Sequence, residues 1–177
     1  MFLKILGGVI FFLVIFLVYV ASRDNTFHYQ RSGLINAPAE KIFPYLSDFT
    51  MGSQWSPYEK IDPNMKKNII GSGRDVGSVM EFDGNKDAGS GKLEFLKIVP
   101  NETVEIKLTM TKPFAAENLV KYQLTKEGDS TRFTWEMSGQ NGFLGKLIGV
   151  LINCDKMIGG QFEQGIQNLK ALVEGQK

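Results

Sequence analysis

Four polar residues are of types that could activate or orient a substrate: His28, Glu59, Asp62 and Asn85. General acid–base work needs a carboxylate or imidazole within hydrogen-bond reach of the reacting group, with its pKa moved toward the working pH. Nothing in their spacing pairs these four. Asp62 precedes Pro63 as turn residues do, Asn85 follows Gly84 as in a hairpin, and His28 sits at the start of the first strand stretch, where a surface position is expected. An enzymatic reading therefore needs side chains among Glu59, Asp62, Glu81 and Glu94 to project inward, away from solvent.

Other chemistries are excluded more firmly. One histidine and one cysteine, Cys154, rule out a histidine-rich or cysteine-rich metal site, a redox pair and an intrachain disulfide, and no cofactor is expected. No nucleophile-elbow, zinc-protease, phosphate-loop or dinucleotide fingerprint is present. Gly71-Ser72-Gly73 and Gly89-Ser90-Gly91 lack the strand-to-helix context of a phosphate loop and read as turns. A net charge of +1, with both signs scattered, offers no surface for nucleic acid.

The strongest signal is instead apolar. Ile158, Phe162, Ile166, Leu169 and Val173 recur at the helical period, so the stretch from Cys154 to Val173 reads as a long helix with one narrow apolar stripe. Asp155 stands at a plausible N-cap and Gly175 follows the last periodic residue. Gly159, Gly160 and Gly165 each weaken a helix by up to ~1 kcal/mol relative to alanine, so packing or free space around the helix must compensate.

Its natural partner is a sheet. Thr103 to Met110 alternates Val104, Ile106, Leu108 and Met110 with Glu105, Lys107 and Thr109. Val120, Tyr122 and Leu124 repeat the pattern, as do Phe133, Trp135 and Met137. A sheet wet on one face and covered on the other has this signature. Lys66 to Ile70, Ser78 to Asp83 and Ser90 to Val99 add strands separated by glycine or proline turns, and Phe27 to Ile35 supplies a first strand. Pro38 suits a helix start, with Ile42, Phe43 and Leu46 on one side, and Ser47-Asp48 can cap a second short helix through about Gln54. Two aromatics, Trp55 and Tyr58, flank Pro57 in the shaped loop that follows. A glycine-punctuated apolar stretch from Gly139 to Asn153 precedes the long helix as a short one.

From Ile5 through Val20 there is no charged residue, close to the ~20 residues that cross a bilayer. Tyr19 lies where a signal-peptidase site after Ala21 would want a small residue, so an uncleaved single-pass anchor is expected, with residues 2–20 in the membrane. Lys4 and the amino terminus on one side face Arg23, partly offset by Asp24, and Arg31 on the other, so flanking charge does not set the orientation; a signal-anchor with its N-terminus inside, together with a lone cysteine that tolerates an oxidising compartment, places the soluble domain outside the cytoplasm. The expected organisation is an anchor at residues 1–21, a linker at 22–26 spanning at most roughly 20 Å, and a domain at 27–177.

Ile35-Asn36-Ala37-Pro38-Ala39-Glu40-Lys41-Ile42-Phe43 resembles the opening "I-x-A-P-A-E-x-V-F" of the birch-pollen-allergen and START-like superfamily. Trp55-Ser56-Pro57-Tyr58-Glu59-Lys60, Lys112-Pro113-Phe114, Thr134-Trp135-Glu136-Met137 and Ile158-Gly159-Gly160-Gln161-Phe162-Glu163 are similar to its membrane-anchored bacterial branch, labelled polyketide cyclase/dehydrase or SRPBCC. The resemblance covers about residues 27 to 174 and implies an α+β helix-grip fold: a curved antiparallel sheet wrapped around a long C-terminal helix, with two short helices after the first strand. It implies a hollow between sheet and helix, but no single chemistry.

The residues expected to line that hollow are Met80, Phe82, Ile106, Leu108, Tyr122, Phe133 and Trp135 from the sheet. Phe162 and Ile166 join them from the helix, with Trp55 and Tyr58 at the mouth. Three readings follow. The leading one is a membrane-tethered module that binds or transfers a hydrophobic small molecule or lipid. The others are a cyclase- or dehydratase-like enzyme using the same cavity, and an interaction domain with a filled core.

Overall fold

A computed structural model describes residues 2–175. Phe2–Ala21 forms helix α1, and strand β1, Thr26–Ile35, begins one residue earlier than the sequence boundary. Helix α2 spans Ala39–Leu46, with Pro38 at its N-cap and Pro44 inside it. The connection that follows is a 3₁₀ turn, Phe49–Met51, the one-turn helix α3 at Gly52–Trp55, and a second 3₁₀ turn, Pro57–Lys60, where the sequence suggested a loop. Asp48 does cap this segment, its carboxylate accepting from Thr50 N at 2.8 Å.

Six strands come next: β2 Lys66–Ile70, β3 Val79–Asp83, β4 Ser90–Val99, β5 Thr103–Lys112, β6 Ala116–Glu127 and β7 Ser130–Gln140. All pairings are antiparallel, in the order β1-β7-β6-β5-β4-β3-β2. The tight reversal between β4 and β5 places Asn101 at φ 63, a left-handed conformation that asparagine tolerates. The chain closes with helices α4, Phe143–Leu151, and α5, Cys154–Glu174. This is the α+β helix-grip architecture.

Register carries the alternation across the sheet. Ile106 faces Val120 and Val120 faces Met137, while Tyr122 faces Trp135 and Trp135 faces Arg31. Period-two side chains from neighbouring strands therefore share one inner face. On α5 the stripe is buried at Phe162, Ile166, Leu169 and Val173, as its spacing requires. The N-cap is Asn153, whose Oδ1 accepts from Lys156 N at 2.9 Å; Asp155, expected in that role, lies in the first turn. It is occupied elsewhere: Arg31 donates from Nη2 to Asp155 Oδ2 at 2.9 Å and from Nε to Glu163 Oε1 at 2.7 Å, fastening β1 to α5.

Two of the three helix glycines explain how α5 sits so close. A Cβ on Gly159 would lie 2.1 Å from the Arg31 guanidinium, and one on Gly165 would lie 2.6 Å from the Trp135 ring and 3.0 Å from Pro57. Gly160 faces open space. Gly165→Ala is therefore expected to lose about 1–2 kcal/mol, overpacking outweighing the propensity gain, whereas Gly160→Ala should gain up to ~1 kcal/mol. Urea unfolding of the two variants should shift the midpoint in opposite directions.

Candidate functional site: a cavity between sheet and helix

Helix α5 packs chiefly along β1 and against the short-helix segment. The inner face of β3 to β6 is left partly uncovered, and a cavity of about 380 Å³ remains beneath it. That size falls in the ~300–1,000 Å³ range of small-molecule sites. Met80, Phe82, Ile106, Leu108, Tyr122 and Trp135 form walls on the sheet side, with Phe162 on the helix and Trp55 and Tyr58 on the short-helix segment.

Two expected lining residues are elsewhere. Phe133 is fully buried, packed edge-on against Trp55 at 6.0 Å, and Ile166 fills the space over Gly33, where even a Cβ would meet its Cγ2 at 2.5 Å. Both belong to the filled end of the core, where α5 lies directly on β1. Leu93, Met110, Val120, Met137 and Ile158 line the cavity in addition. Their signal was present, since each is in phase with an apolar strand face or with the α5 stripe.

One end of the cavity is an aromatic cluster centred on Trp135. Its ring stacks on Phe162 at 4.4 Å and 11°, and meets Trp55 at 5.2 Å and Tyr122 at 5.4 Å edge-on. Trp55 is anchored by Nε1 donating to Tyr45 O at 2.9 Å, and its own carbonyl accepts from Asn168 Nδ2 on α5. Trp135 Nε1, by contrast, is buried with no hydrogen-bond acceptor.

Polar groups at the cavity come mainly from the short-helix segment. Glu59 lines it, ion-paired with Lys67 and with its carboxylate occupying the space a Cβ on Gly52 would take. Burial raises the Tyr58 hydroxyl well above its ordinary value. Tyr122 is raised by burial first and then by the neighbouring Tyr58 and Glu59. Both tyrosines are therefore neutral at ordinary pH and can donate a hydrogen bond to a guest. Asp48 also borders the cavity. Burial opposes its ionisation, but the bonds from Thr50 and Arg74 outweigh it and hold the carboxyl below its usual range.

A carboxylate with a depressed native pKa stabilises the fold above its unfolded value and loses that contribution as pH falls through the native one. The urea midpoint is thus expected to drop as pH is lowered below about 4, and Asp48→Asn should flatten part of that drop. Denaturant titrations at stepped pH test this; an unchanged slope would remove Asp48 from the acid response.

The remaining polar candidates are structural. Asp62 accepts from Asn64 N at 3.0 Å and from Asn85 N at 2.7 Å, tying two loops together. Asn85 Oδ1 accepts from Asp87 N and Ala88 N inside the β3–β4 hairpin. His28 is exposed on β1, 4.0 Å from Glu136. Glu81 bonds Asn68 on the outer sheet face, and Glu94, between the inward Leu93 and Phe95, shares that face. Among the carboxylates weighed for catalysis, Glu59 is the one at the cavity.

A curved antiparallel sheet gripping a long helix over a hollow, largely apolar interior defines a helix-grip domain of the birch-pollen-allergen type. The chain belongs to the family described as polyketide cyclase/dehydrase and lipid transport, whose profile matches residues 26–174. No curated protein sequence matches it. Among solved structures it is similar to truncated norcoclaurine synthase from Thalictrum flavum, with 16% identity and TM-score 0.63, covering 86% of this chain and 96% of that one. The Aha1 dimer from Colwellia psychrerythraea aligns at 20% identity and TM-score 0.58, over 85% and 99% of the two chains. Ara h 8.0201 aligns at 14% identity and TM-score 0.59, also over 85% and 99%. These likenesses are of fold.

Proposed function

We propose that this chain is a membrane-tethered module that binds or transfers a hydrophobic small molecule or lipid in the cavity between β3–β6 and α5. The observation that carries the reading is the cavity itself, about 380 Å³ and walled mainly by apolar and aromatic side chains. That volume supports the binding reading over an interaction domain with a filled core. The family description, which includes lipid transport, supports the same ligand class. Tyr58, Glu59 and Tyr122 form a small polar group at the cavity, suited to a ligand with an apolar body and one polar end.

Tethering comes from α1. Lys4–Ala21 is long and apolar enough to cross a membrane, with mean hydropathy 2.5. An uncleaved anchor holds the cavity near a hydrophobic ligand's source, raising encounter without added contact. The domain is placed outside the cytoplasm on this reading, which protease protection in intact cells would test.

To test ligand binding, residues 25–177 are purified without detergent, extracted with organic solvent and analysed by mass spectrometry. A co-purifying hydrophobic molecule, displaced by an added fatty-acid probe, is the expected result. No bound molecule and no probe uptake would refute it. A cyclase- or dehydratase-like activity is the second reading, supported by Glu59 alone; with Lys67 neutralising that carboxylate and both tyrosines protonated, the binding reading needs fewer assumptions.

A further inference from the structure

Helix α4 lacks the burial that its composition would justify. Between Asn141 and Cys154 the only charged residue is Lys146, yet α4 has no buried residue. Phe143 is 50% exposed, Leu144 45%, Leu151 70% and Ile152 50%, and Met157 in the first turn of α5 is 55% exposed. A soluble surface rarely leaves such a run contiguous and open to water.

Its position shows what would cover it. α4 packs against the end of α1 nearest the domain, and its one cation, Lys146, donates from Nζ to Ala21 O at 2.9 Å, satisfying a terminal carbonyl of that helix. Val20 is fully buried there. One turn back, the Arg23 guanidinium lies 5.7 Å from the centre of the Tyr19 ring. Tyrosine and arginine at the end of an apolar span mark the level of the membrane interface, where an aromatic ring and a cation can face both lipid and water. α4 is held at that level.

We infer that α4 and the first turn of α5 form a second membrane contact, an interfacial segment whose Phe143, Leu144, Leu151, Ile152 and Met157 sink into the headgroup–acyl boundary of the bilayer that α1 crosses. The inference rests on the reading of α1 as an anchor. Helices of this kind bury their apolar side ~5–10 Å into that boundary. The contact would fix the domain's orientation, which the four residues between α1 and β1, 22–25, alone leave free to swing. It also brings lipid to the cavity wall: Met157 is in the exposed patch, and the next residue, Ile158, lines the cavity.

The test uses the full chain reconstituted in phosphatidylcholine–phosphatidylglycerol vesicles, in a Cys154→Ser background. Spin labels are placed singly at Leu151→Cys on the patch, Leu13→Cys in α1 and Lys126→Cys on the far strand turn, and their collision rates with oxygen and with a water-soluble nickel chelate are compared. The expected oxygen-to-nickel ratio at Leu151 is several-fold above that at Lys126 and below that at Leu13. A lipid-like Leu13 with a Leu151 ratio equal to Lys126 would overturn the interfacial contact and leave the anchor standing. An aqueous Leu13 with a lipid-like Leu151 would overturn the anchor and keep the contact, and aqueous values at both would remove both.

Discussion

Trp135→Ala is expected to destabilise the domain by about 3–5 kcal/mol, the range for truncating a large buried aromatic. Trp135 is 3% exposed, stacks on Phe162 of α5 and touches Trp55 and Tyr122 edge-on, so one ring joins the sheet, the long helix and the short-helix segment. Aromatic pairs of this geometry contribute ~0.5–1.5 kcal/mol each beyond burial. A typical domain has only ~5–15 kcal/mol in total, so the variant should be close to its unfolding threshold. Trp135→Phe should lose much less. It keeps a ring against Phe162 and gives up no hydrogen bond, because Nε1 has no acceptor. Trp55→Phe supplies the contrast, since it breaks the bond to Tyr45 O. Urea unfolding followed by circular dichroism measures all three without relying on tryptophan emission. A loss below about 1 kcal/mol for Trp135→Ala would mean that the cluster does not hold the layers together.

Leu108→Trp is expected to weaken binding of a hydrophobic probe at least tenfold while leaving the fold intact. Leu108 lines the cavity on β5, opposite Leu93 on β4, so an added indole enters empty volume before it meets a neighbour. Tenfold corresponds to about 1.4 kcal/mol, less than the apolar contact a guest would lose when the space is taken. Leu119→Trp is the control. Leu119 is exposed on the outer face of β6, between two residues that line the cavity, and the same substitution there should leave affinity unchanged. Fluorescence titration with a naphthalene dye reports both. Equal affinity in the Leu108 variant would show that probe binds elsewhere, and the cavity reading would fall with it.

The polar candidates show where sequence reasoning lost its grip. Asp62 and Asn85 behave as turn chemistry suggests, each satisfying backbone N–H groups nearby. Glu59 gave no comparable signal, because its meeting with Tyr122 depends on a 3₁₀ turn folding over a strand more than sixty residues away. Arg31 was read along the chain only as a charge flanking the apolar span; in the structure it falls in phase with Phe27, Tyr29 and Ile35 on β1 and is met by Asp155 and Glu163, partners more than a hundred residues away that no local pattern points to.

What the sequence determined alone is whatever depends on local period: the strands, the stripe of α5, the apolar span at residues 2–20, and which side of the strands holding Ile106, Tyr122 and Trp135 turns inward. Side-chain direction repeats every two residues in a strand and about every 3.6 in a helix, so neighbours along the chain are enough to establish it. Only tertiary structure decided that Phe133 and Ile166 close one end of the interior while Leu108 and Met80 border a cavity at the other. Inward-facing residues look alike along the chain. Whether one meets a partner depends on where α5 lies across the sheet, and that is set by contacts between distant segments: Gly165 against Trp135, and Arg31 against Asp155 and Glu163.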